Sequence, residues 1–554
     1  MVDFSNLYRK LFVDQLRTIH FDVLVVGGGI TGAGIALDAV SRGLKVALVD
    51  MQDFAAGTSS RSTKLVHGGL RYLKQLEWRL VKEVGKERTI VYHNGPHVTR
   101  PEKMLLPIYQ DGTFGKITTS FGLKVYDYLA GVAKQERRKM LSAEETLHIE
   151  PLLKRDGLKG SGLYVEYRTN DARLTVEVLK KAVELGAIAL NYTKVESLLY
   201  RSGKINGATV VDQISGKSYD IHAQTVVNAA GPWVDDVRRL DISTDVKTLR
   251  LTKGVHIVVD HARLPINQAL YFDTPDSRMV FAIPRDNKTY IGTTDTFVDN
   301  PTQTPKMTVD DCLYLLQATS RVFPSIKLNL SDIESSWAGI RPLIYEVGKG
   351  PSEISRKDEI WQSESGLLSV AGGKLTGYRK MAENVVNILI KKTGRNNKKA
   401  NWPCRTRELA ISGGEDITPK NFADFVERGI RQGIELGLSA NIAKELTSTY
   451  GTNINKIYAK FESYQRKSRA YQLPIDLVAR LDYAIMDEMT VSPLDFFNRR
   501  TSMLFFNICE VEKNKKAVLN YMSTIFNWSE QDFKKYEQEL NDAIIVATTA
   551  IEDS

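Results

Sequence analysis

Two groups of residues in this chain have types and spacing that define a chemistry. The first is Gly27-Gly28-Gly29-Ile30-Thr31-Gly32, with Asp50 following 18 residues after Gly32. A turn spaced G-x-G-x-x-G brings backbone close to a pyrophosphate, and an acid at that distance accepts hydrogen bonds from a ribose. Gly27 suits the tight turn, Gly29 the approach to phosphate, and Gly32 the packing of helix on strand. The second group runs Thr58-Ser59-Ser60-Arg61-Ser62-Thr63-Lys64-Leu65-Val66-His67-Gly68-Gly69-Leu70-Arg71-Tyr72. It has too few apolar residues for a core element, and a long irregular segment beside a nucleotide unit is usually functional. Its hydroxyls and backbone N–H groups suit a pyrophosphate or an isoalloxazine edge. Lys64, His67 and Arg71 add cationic or proton-transferring groups.

These residues need elements to position them. Phe21-Asp22-Val23-Leu24-Val25-Val26 reads as a buried strand, Ala33 to Arg42 as a helix, and Lys45 to Val49 as the next strand, ending at Asp50. Phosphates would then sit at a helix N-terminus. Residues 4–18 place Phe4, Leu7, Tyr8, Leu11, Phe12 and Leu16 at helical spacing, which reads as a helix packed on its own protein, with an interfacial anchor as the alternative. Further helices are expected over 74–93, Arg173 to Gly186, Thr308 to Phe323 and Tyr378 to Lys392, and a hairpin around Asn206-Gly207. The strand Thr225 to Asn228 meets Ala229-Ala230-Gly231-Pro232-Trp233, a second place for backbone to pass close to a dinucleotide. From 249 to 295 the pattern alternates with period two, which predicts an antiparallel sheet separate from the parallel unit. Gly372-Gly373 sits before another helix. Residues 394–403 read as a polar linker, and helical periodicity fills the rest.

With 554 residues the chain divides into two or three domains. A hydrophobic content of 42% and a charged content of 25% are those of a globular protein, and a net charge of +9 suits an anionic substrate or membrane surface. No Lys/Arg tract with interleaved aromatics points to nucleic acid. Cys312, Cys404 and Cys509 lie far apart, so a disulfide framework, a zinc site or any other metal centre is not expected, and the compartment reads as reducing. No signal peptide is visible, and no apolar run of about 18 residues reads as a membrane span.

One G-x-G-x-x-G means one Rossmann-type dinucleotide site. A nicotinamide enzyme would continue with further βαβ repeats, whereas here a hydroxyl-rich loop, a hairpin and an antiparallel sheet interrupt the nucleotide unit. That favours FAD held by discontinuous segments.

Gly27-Gly28-Gly29-Ile30-Thr31-Gly32-Ala33-Gly34, Thr58-Ser59-Ser60, His67-Gly68-Gly69-Leu70-Arg71-Tyr72, Lys253-Gly254-Val255-His256, Ile291-Gly292-Thr293-Thr294-Asp295, Gly339-Ile340-Arg341-Pro342-Leu343 and Gly372-Gly373-Lys374-Leu375-Thr376 together resemble the FAD-dependent, aerobic glycerol-3-phosphate dehydrogenase family. The resemblance runs from about residue 20 to the C-terminus. It implies an α/β fold: a Rossmann-like FAD-binding domain of the glutathione-reductase and D-amino-acid-oxidase type, interrupted by an antiparallel-sheet substrate domain, plus an all-α C-terminal domain. The expected FAD-binding domain comprises 1–100, 160–245 and 335–395, the substrate domain 101–159 and 246–334, and the helical domain 396–554. The implied reaction is oxidation of sn-glycerol 3-phosphate to dihydroxyacetone phosphate by hydride transfer from C2 to flavin N5, with electrons passed to a membrane quinone. Oxidases of the family use oxygen and make peroxide, and carry an insertion that the short run from Pro342 to Ala371 lacks, which favours the dehydrogenase. An amine or amino-acid oxidase on the same fold is the other alternative.

Such chemistry needs a proton acceptor, cations for a phosphate dianion, and exclusion of water. His67 and His256, two of only eight histidines, are the candidate bases, and Arg341 is the candidate for stabilising developing alkoxide charge. Arg71, Tyr72, Arg356 and Lys374 are expected to grip the phosphate and the neighbouring hydroxyl. The cofactor set is Gly27, Gly29, Gly32, Asp50, Thr58, Ser59, Ser60, Lys64, His67, Gly68, Gly69, Leu70, Val195, Ala230, Gly231, Trp233, Gly373, Lys374, Leu375 and Thr376. The resemblance, the basic charge and the amphipathic N-terminus imply a cytoplasmic enzyme, peripheral on the inner face of the cell membrane, and leave a homodimer open.

Overall fold

The computed structural model describes residues 3–67, 78–110, 112, 137–242, 248–276, 278–299, 304–345, 358–372, 374–392 and 402–552. Phe21–Val26 is buried along its whole length, pairing in parallel with Val46–Val49 on one side and with Lys217–Asn228 on the other. A strand covered on both faces reads as a continuous apolar run. Its one polar residue, Asp22, accepts from the backbone N–H of Lys45 at 2.8 Å. Leu368–Ala371 and Ile188–Leu190 extend the parallel sheet, and Glu359–Gln362 closes one edge antiparallel. The helix Ile30–Ser41 packs closely enough on Tyr378–Lys392 that a Cβ on Gly34 would lie 2.8 Å from the Tyr378 ring.

The hairpin of this region pairs Thr193–Arg201 with Lys204–Asp212. Its turn is Ser202-Gly203, not the expected Asn206-Gly207. Both turn residues have positive φ, 50° and 71°, the geometry a two-residue hairpin requires. Gly207 lies inside the strand, where a Cβ would collide with the carbonyl of Ile221.

The second sheet has ten strands, with Leu249–Asp260 toward one end of the strand order. That strand pairs antiparallel with Thr296–Val298, Lys288–Gly292 and Ile333–Ile344. Among the other pairings, Ala269–Asp273 runs parallel to Thr99–Tyr109 and the rest are antiparallel. Leu158–Thr169 and Ile333–Ile344 belong to this sheet, although the sequence placed most of each with the nucleotide unit. Partners such as Val255 and Ala338 lie far apart in the chain, so no local pattern shows which sheet they join. Leu65–Val66 also pairs into this sheet, so the hydroxyl-rich loop bridges the two sheets.

The C-terminal part is helical from Phe422–Glu435 to Glu530–Thr548, interrupted by a π-helix at Asp495–Arg500. Its largest buried cluster is shared with the second sheet. Phe505, Phe506, Tyr483 and Leu540 share one buried cluster with Leu65, Met104, Tyr290 and Trp337 of the second sheet. Each such aromatic or aliphatic side chain contributes about 1.5–3 kcal/mol by burial, so the region is fastened by the hydrophobic effect. At the other end, the helix Arg9–Thr18 buries Phe12 and Leu16, and Arg9 pairs with Asp212 at 2.7 Å. Packing on its own protein is therefore the observed arrangement on that face, while Leu7, Tyr8 and Leu11 remain exposed. Among the described residues, no helix is long and apolar enough to cross a membrane. The linker at 394–403 falls largely outside the described residues.

Candidate active site

The glycine turn takes the geometry its spacing demands. Gly27 has φ 111°, and a Cβ there would lie 2.5 Å from the carbonyl oxygen of Ala229. A Cβ on Gly32 would collide with the carbonyl oxygen of Gly27, so helix and strand meet with no room for a side chain. Asp50 accepts from the backbone N–H of Gly28 at 2.6 Å and of Gln52 at 2.8 Å. Burial outweighs those two donors and pushes its carboxyl up to about 7. Ser59 Oγ accepts from the backbone N–H of Ile30 at 2.9 Å, tying the hydroxyl loop to the start of the helix.

A cavity of about 600 Å³ runs from this turn. Gly27, Gly29, Asp50, Thr58 and Ser59 line it, together with Val195 and the Ala230, Gly231 and Trp233 segment. Pro342, Gly372, Lys374 and Leu375 also line it. The cavity joins the N-terminus of a helix, where phosphate is favoured, to a carboxylate that can accept ribose hydroxyls. These residues fit FAD. Met51, Gln52, Gly57, Thr193 and Gln213 also line the cavity and escaped sequence reasoning, because they have no motif of their own.

Five described residues of the expected cofactor set, Gly32, Ser60, Lys64, His67 and Thr376, do not line the cavity. Gly32 packs beneath the turn. Ser60 is buried, and its carbonyl accepts from Lys64 Nζ at 2.9 Å. Lys64 Nζ also binds Asp171 Oδ1 at 2.7 Å, with both side chains buried, and it lies over the Trp337 ring. Asp171 accepts in addition from the backbone N–H and hydroxyl of Ser62 at 2.9 and 2.7 Å. The Lys64 ammonium is thus committed to holding the loop against the helix Asp171–Glu184, and breaking such a pair costs about 3–5 kcal/mol. Thr376 is buried and donates to the carbonyl of His67 at 3.1 Å.

His256 and Arg341 come together on neighbouring strands of the second sheet, where Thr252 opposes Arg341 and His256 opposes Trp337. The His256 ring is buried and stacks on Trp337 with centroids 4.8 Å apart. Nε2 lies 3.0 Å from Thr63 Oγ1, and Nδ1 meets no hydrogen-bond partner among the described residues. Burial first, then the charges of Arg341 and Lys64, hold its pKa well below the ordinary value, so the ring is neutral. A neutral imidazole with one nitrogen engaged can take a proton on the other. Arg341 donates to Asp295 Oδ1 at 3.0 Å and to Thr293 Oγ1 at 2.8 Å. Two glycines make room for this pair. A Cβ on Gly254 would lie 2.6 Å from Arg341 Cζ, and one on Gly292 would lie 2.6 Å from His256 Cγ. Gly254, Gly292, Thr293 and Asp295 stand in motifs that carry the resemblance but were given no role in the site, although a glycine inside an apolar strand signals a close approach.

The His67 ring lies 6.3 Å from that of Phe281, and His67 does not line the cavity. Gly68, Gly69, Leu70, Arg71, Tyr72, Arg356 and Gly373 lie outside the described residues.

Comparison with known proteins accords with this geometry. The family model described as FAD dependent oxidoreductase matches residues 22–379, and that of the C-terminal domain of alpha-glycerophosphate oxidase matches 404–533. The aerobic glycerol-3-phosphate dehydrogenase of Bacillus subtilis is 53% identical over 99% of both chains, and that of Staphylococcus aureus is 53% identical over 98% of this chain and 97% of its own. This chain belongs to the FAD-dependent, aerobic glycerol-3-phosphate dehydrogenase family. The crystal structure of glycerol-3-phosphate dehydrogenase from Bacillus halodurans, complexed with FAD, superposes with a TM-score of 0.87 at 45% identity, covering 100% of each chain. L-alpha-glycerophosphate oxidase from Mycoplasma pneumoniae, at 20% identity and a TM-score of 0.54, covers 67% of this chain and 95% of its own, and shares the fold. The chain is an FAD-dependent oxidoreductase.

Proposed function

We propose that this enzyme oxidises sn-glycerol 3-phosphate at C2 to dihydroxyacetone phosphate and delivers the electrons to a membrane quinone. The observation that carries the reading is the neutral, buried His256 beside Arg341, on a strand whose next residue, Pro342, lines the FAD cavity. The substrate follows from the names of relatives 53% identical over nearly the whole chain.

Bound FAD supplies the acceptor for the hydride leaving C2. His256 takes the hydroxyl proton at Nδ1, the nitrogen not engaged with Thr63. Arg341 stabilises the developing alkoxide, and Asp295 and Thr293 hold its guanidinium in register. Lys374, which lines the cavity, is the candidate to meet the phosphate, with Arg71, Tyr72 and Arg356 as further grips. His67 is the other candidate base. Peripheral attachment to the inner face of the membrane is supported by Leu7, Tyr8 and Leu11, which are 42%, 41% and 39% exposed at the N-terminal helix, and by the net charge of +9. Sedimentation with anionic liposomes at low salt tests that attachment.

The decisive experiment is anaerobic addition of sn-glycerol 3-phosphate to the holoenzyme while flavin absorbance is followed. Bleaching of the flavin is expected, followed by recovery on adding a quinone. A flavin that stays oxidised refutes the substrate. Rapid reoxidation by oxygen with stoichiometric peroxide, and none by quinone, makes the enzyme an oxidase instead.

A further inference from the structure

Asp53 stands three residues after Asp50, and its carboxylate is fully buried. Arg499 Nε donates to Oδ2 at 2.5 Å, Arg500 Nη1 to Oδ2 at 2.8 Å, and Arg500 Nη2 to Oδ1 at 2.8 Å. Asn191 Nδ2 completes the set at 2.9 Å and also donates to the carbonyl of Met489 at 3.0 Å. Against its burial, the guanidinium groups of Arg500 and Arg499 hold the Asp53 carboxyl down to about 2. Both arginines come from the π-helix Asp495–Arg500, a rare form of helix that is frequent at functional sites. Arg499 is held in turn by Asp495, and Arg500 by the carbonyl of Glu488.

The segment they grip belongs to the cofactor cavity. Asp50, Met51 and Gln52 line it, and the Phe54 ring sits so close to the glycine turn that a Cβ on Gly28 would lie 2.5 Å from it. Asp53 stands between those contacts. We propose that Arg499 and Arg500 are positioning residues for the cofactor: by clamping Asp53 they hold Asp50 and the glycine turn where ribose and pyrophosphate bind, so the C-terminal helical region sets the affinity for FAD. The inference rests on Asp50 being the ribose acceptor.

A pH profile separates positioning from mere structural support. The Asp50 carboxyl is raised by burial and by Asp53, and lowered by the N–H groups of Gln52 and Gly28 and by Arg499. Lys194 and Asp236 line the same cavity. Ribose hydroxyls donate to the ionised form, so FAD affinity rises with pH until about 7 and is flat above. Removing the negative charge in Asp53→Asn moves that inflection to lower pH, while removing the positive charge in Arg499→Met moves it to higher pH.

The test is titration of FAD into apoprotein between about pH 5.5 and 8.5, with flavin fluorescence as readout. Asp53→Asn and Arg500→Lys are expected to weaken binding about tenfold or more at pH 8, and the inflections of Asp53→Asn and Arg499→Met to be displaced in opposite directions. A lower unfolding temperature with unchanged Kd and unchanged inflections overturns the proposal. Where Asp53→Asn does not fold, Arg500→Lys, which keeps the charge and loses the fork, decides alone. Asp50→Ala that binds FAD as tightly as wild type removes the ribose reading itself. A normal Kd in Arg500→Lys beside a weakened Asp50→Ala removes only the clamp.

Discussion

Replacing Gly254 by alanine adds one methyl group at the point where the second sheet makes way for Arg341. The backbone there is outside the left-handed region, so alanine brings no strain of its own. Its Cβ would lie 2.6 Å from Arg341 Cζ and 2.6 Å from Thr293 Oγ1, whereas unstrained contact needs about 3.5 Å. The guanidinium must therefore retreat by about 1 Å, out of its hydrogen bonds to Thr293 at 2.8 Å and Asp295 at 3.0 Å. A misplacement of about 1 Å in a catalytic constellation costs about 100-fold in rate. Neither Gly254 nor Arg341 lines the FAD cavity, so cofactor content stays at the wild-type level. Steady-state kcat/KM with glycerol 3-phosphate and a quinone acceptor, on protein normalised for bound flavin, measures the loss. Arg341→Ala should abolish turnover with FAD retained, and Gly254→Ala should add nothing to it, since both act through one guanidinium. Wild-type kcat/KM in Gly254→Ala, or near-normal turnover in Arg341→Ala, would show that this arginine does not act on the reacting alcohol.

Two further outcomes follow from buried acids. In Asp50→Asn the rise of FAD affinity toward pH 7 disappears, because the titrating group is gone, and an unchanged profile assigns the titration to another residue. Glu539, on the last helix, has its carboxyl pushed from the ordinary 4.5 up to about 7 by burial and then by Asp495, and its Oε2 meets no hydrogen-bond partner among the described residues. The folded state binds this proton more tightly, so its stabilising effect is complete below pH 4.5 and is lost as the pH rises through about 7. Urea unfolding should find Glu539→Gln equal to wild type near pH 5 and more stable at pH 8, by at most about 3 kcal/mol. A less stable variant at pH 8 refutes the assignment.

The contrast between residues legible in the sequence and those that were not follows the range of the forces involved. The glycine turn, the acid after it and the hydroxyl loop were legible because φ at Gly27, the packing at Gly32 and the strand of Phe21–Val26 depend on residues a few positions away. That a single motif meant one FAD cavity was legible for the same reason. What escaped depended on partners far along the chain. Lys64 looked like a cofactor ligand until Asp171 occupied its ammonium. Ile333–Ile344 looked like part of the nucleotide unit until Leu249–Asp260 took its hydrogen bonds. Gly254 and Gly292 became part of the site only when Arg341 and His256 were found against them. By itself the sequence determined the cofactor, the family and the local frame that binds the dinucleotide, because those are written in short-range backbone geometry. Only the tertiary structure decided which cations were already neutralised, which glycines made room, and that the C-terminal helices reach Asp53, because charge pairing and steric fit depend on atoms brought together from opposite ends of the chain.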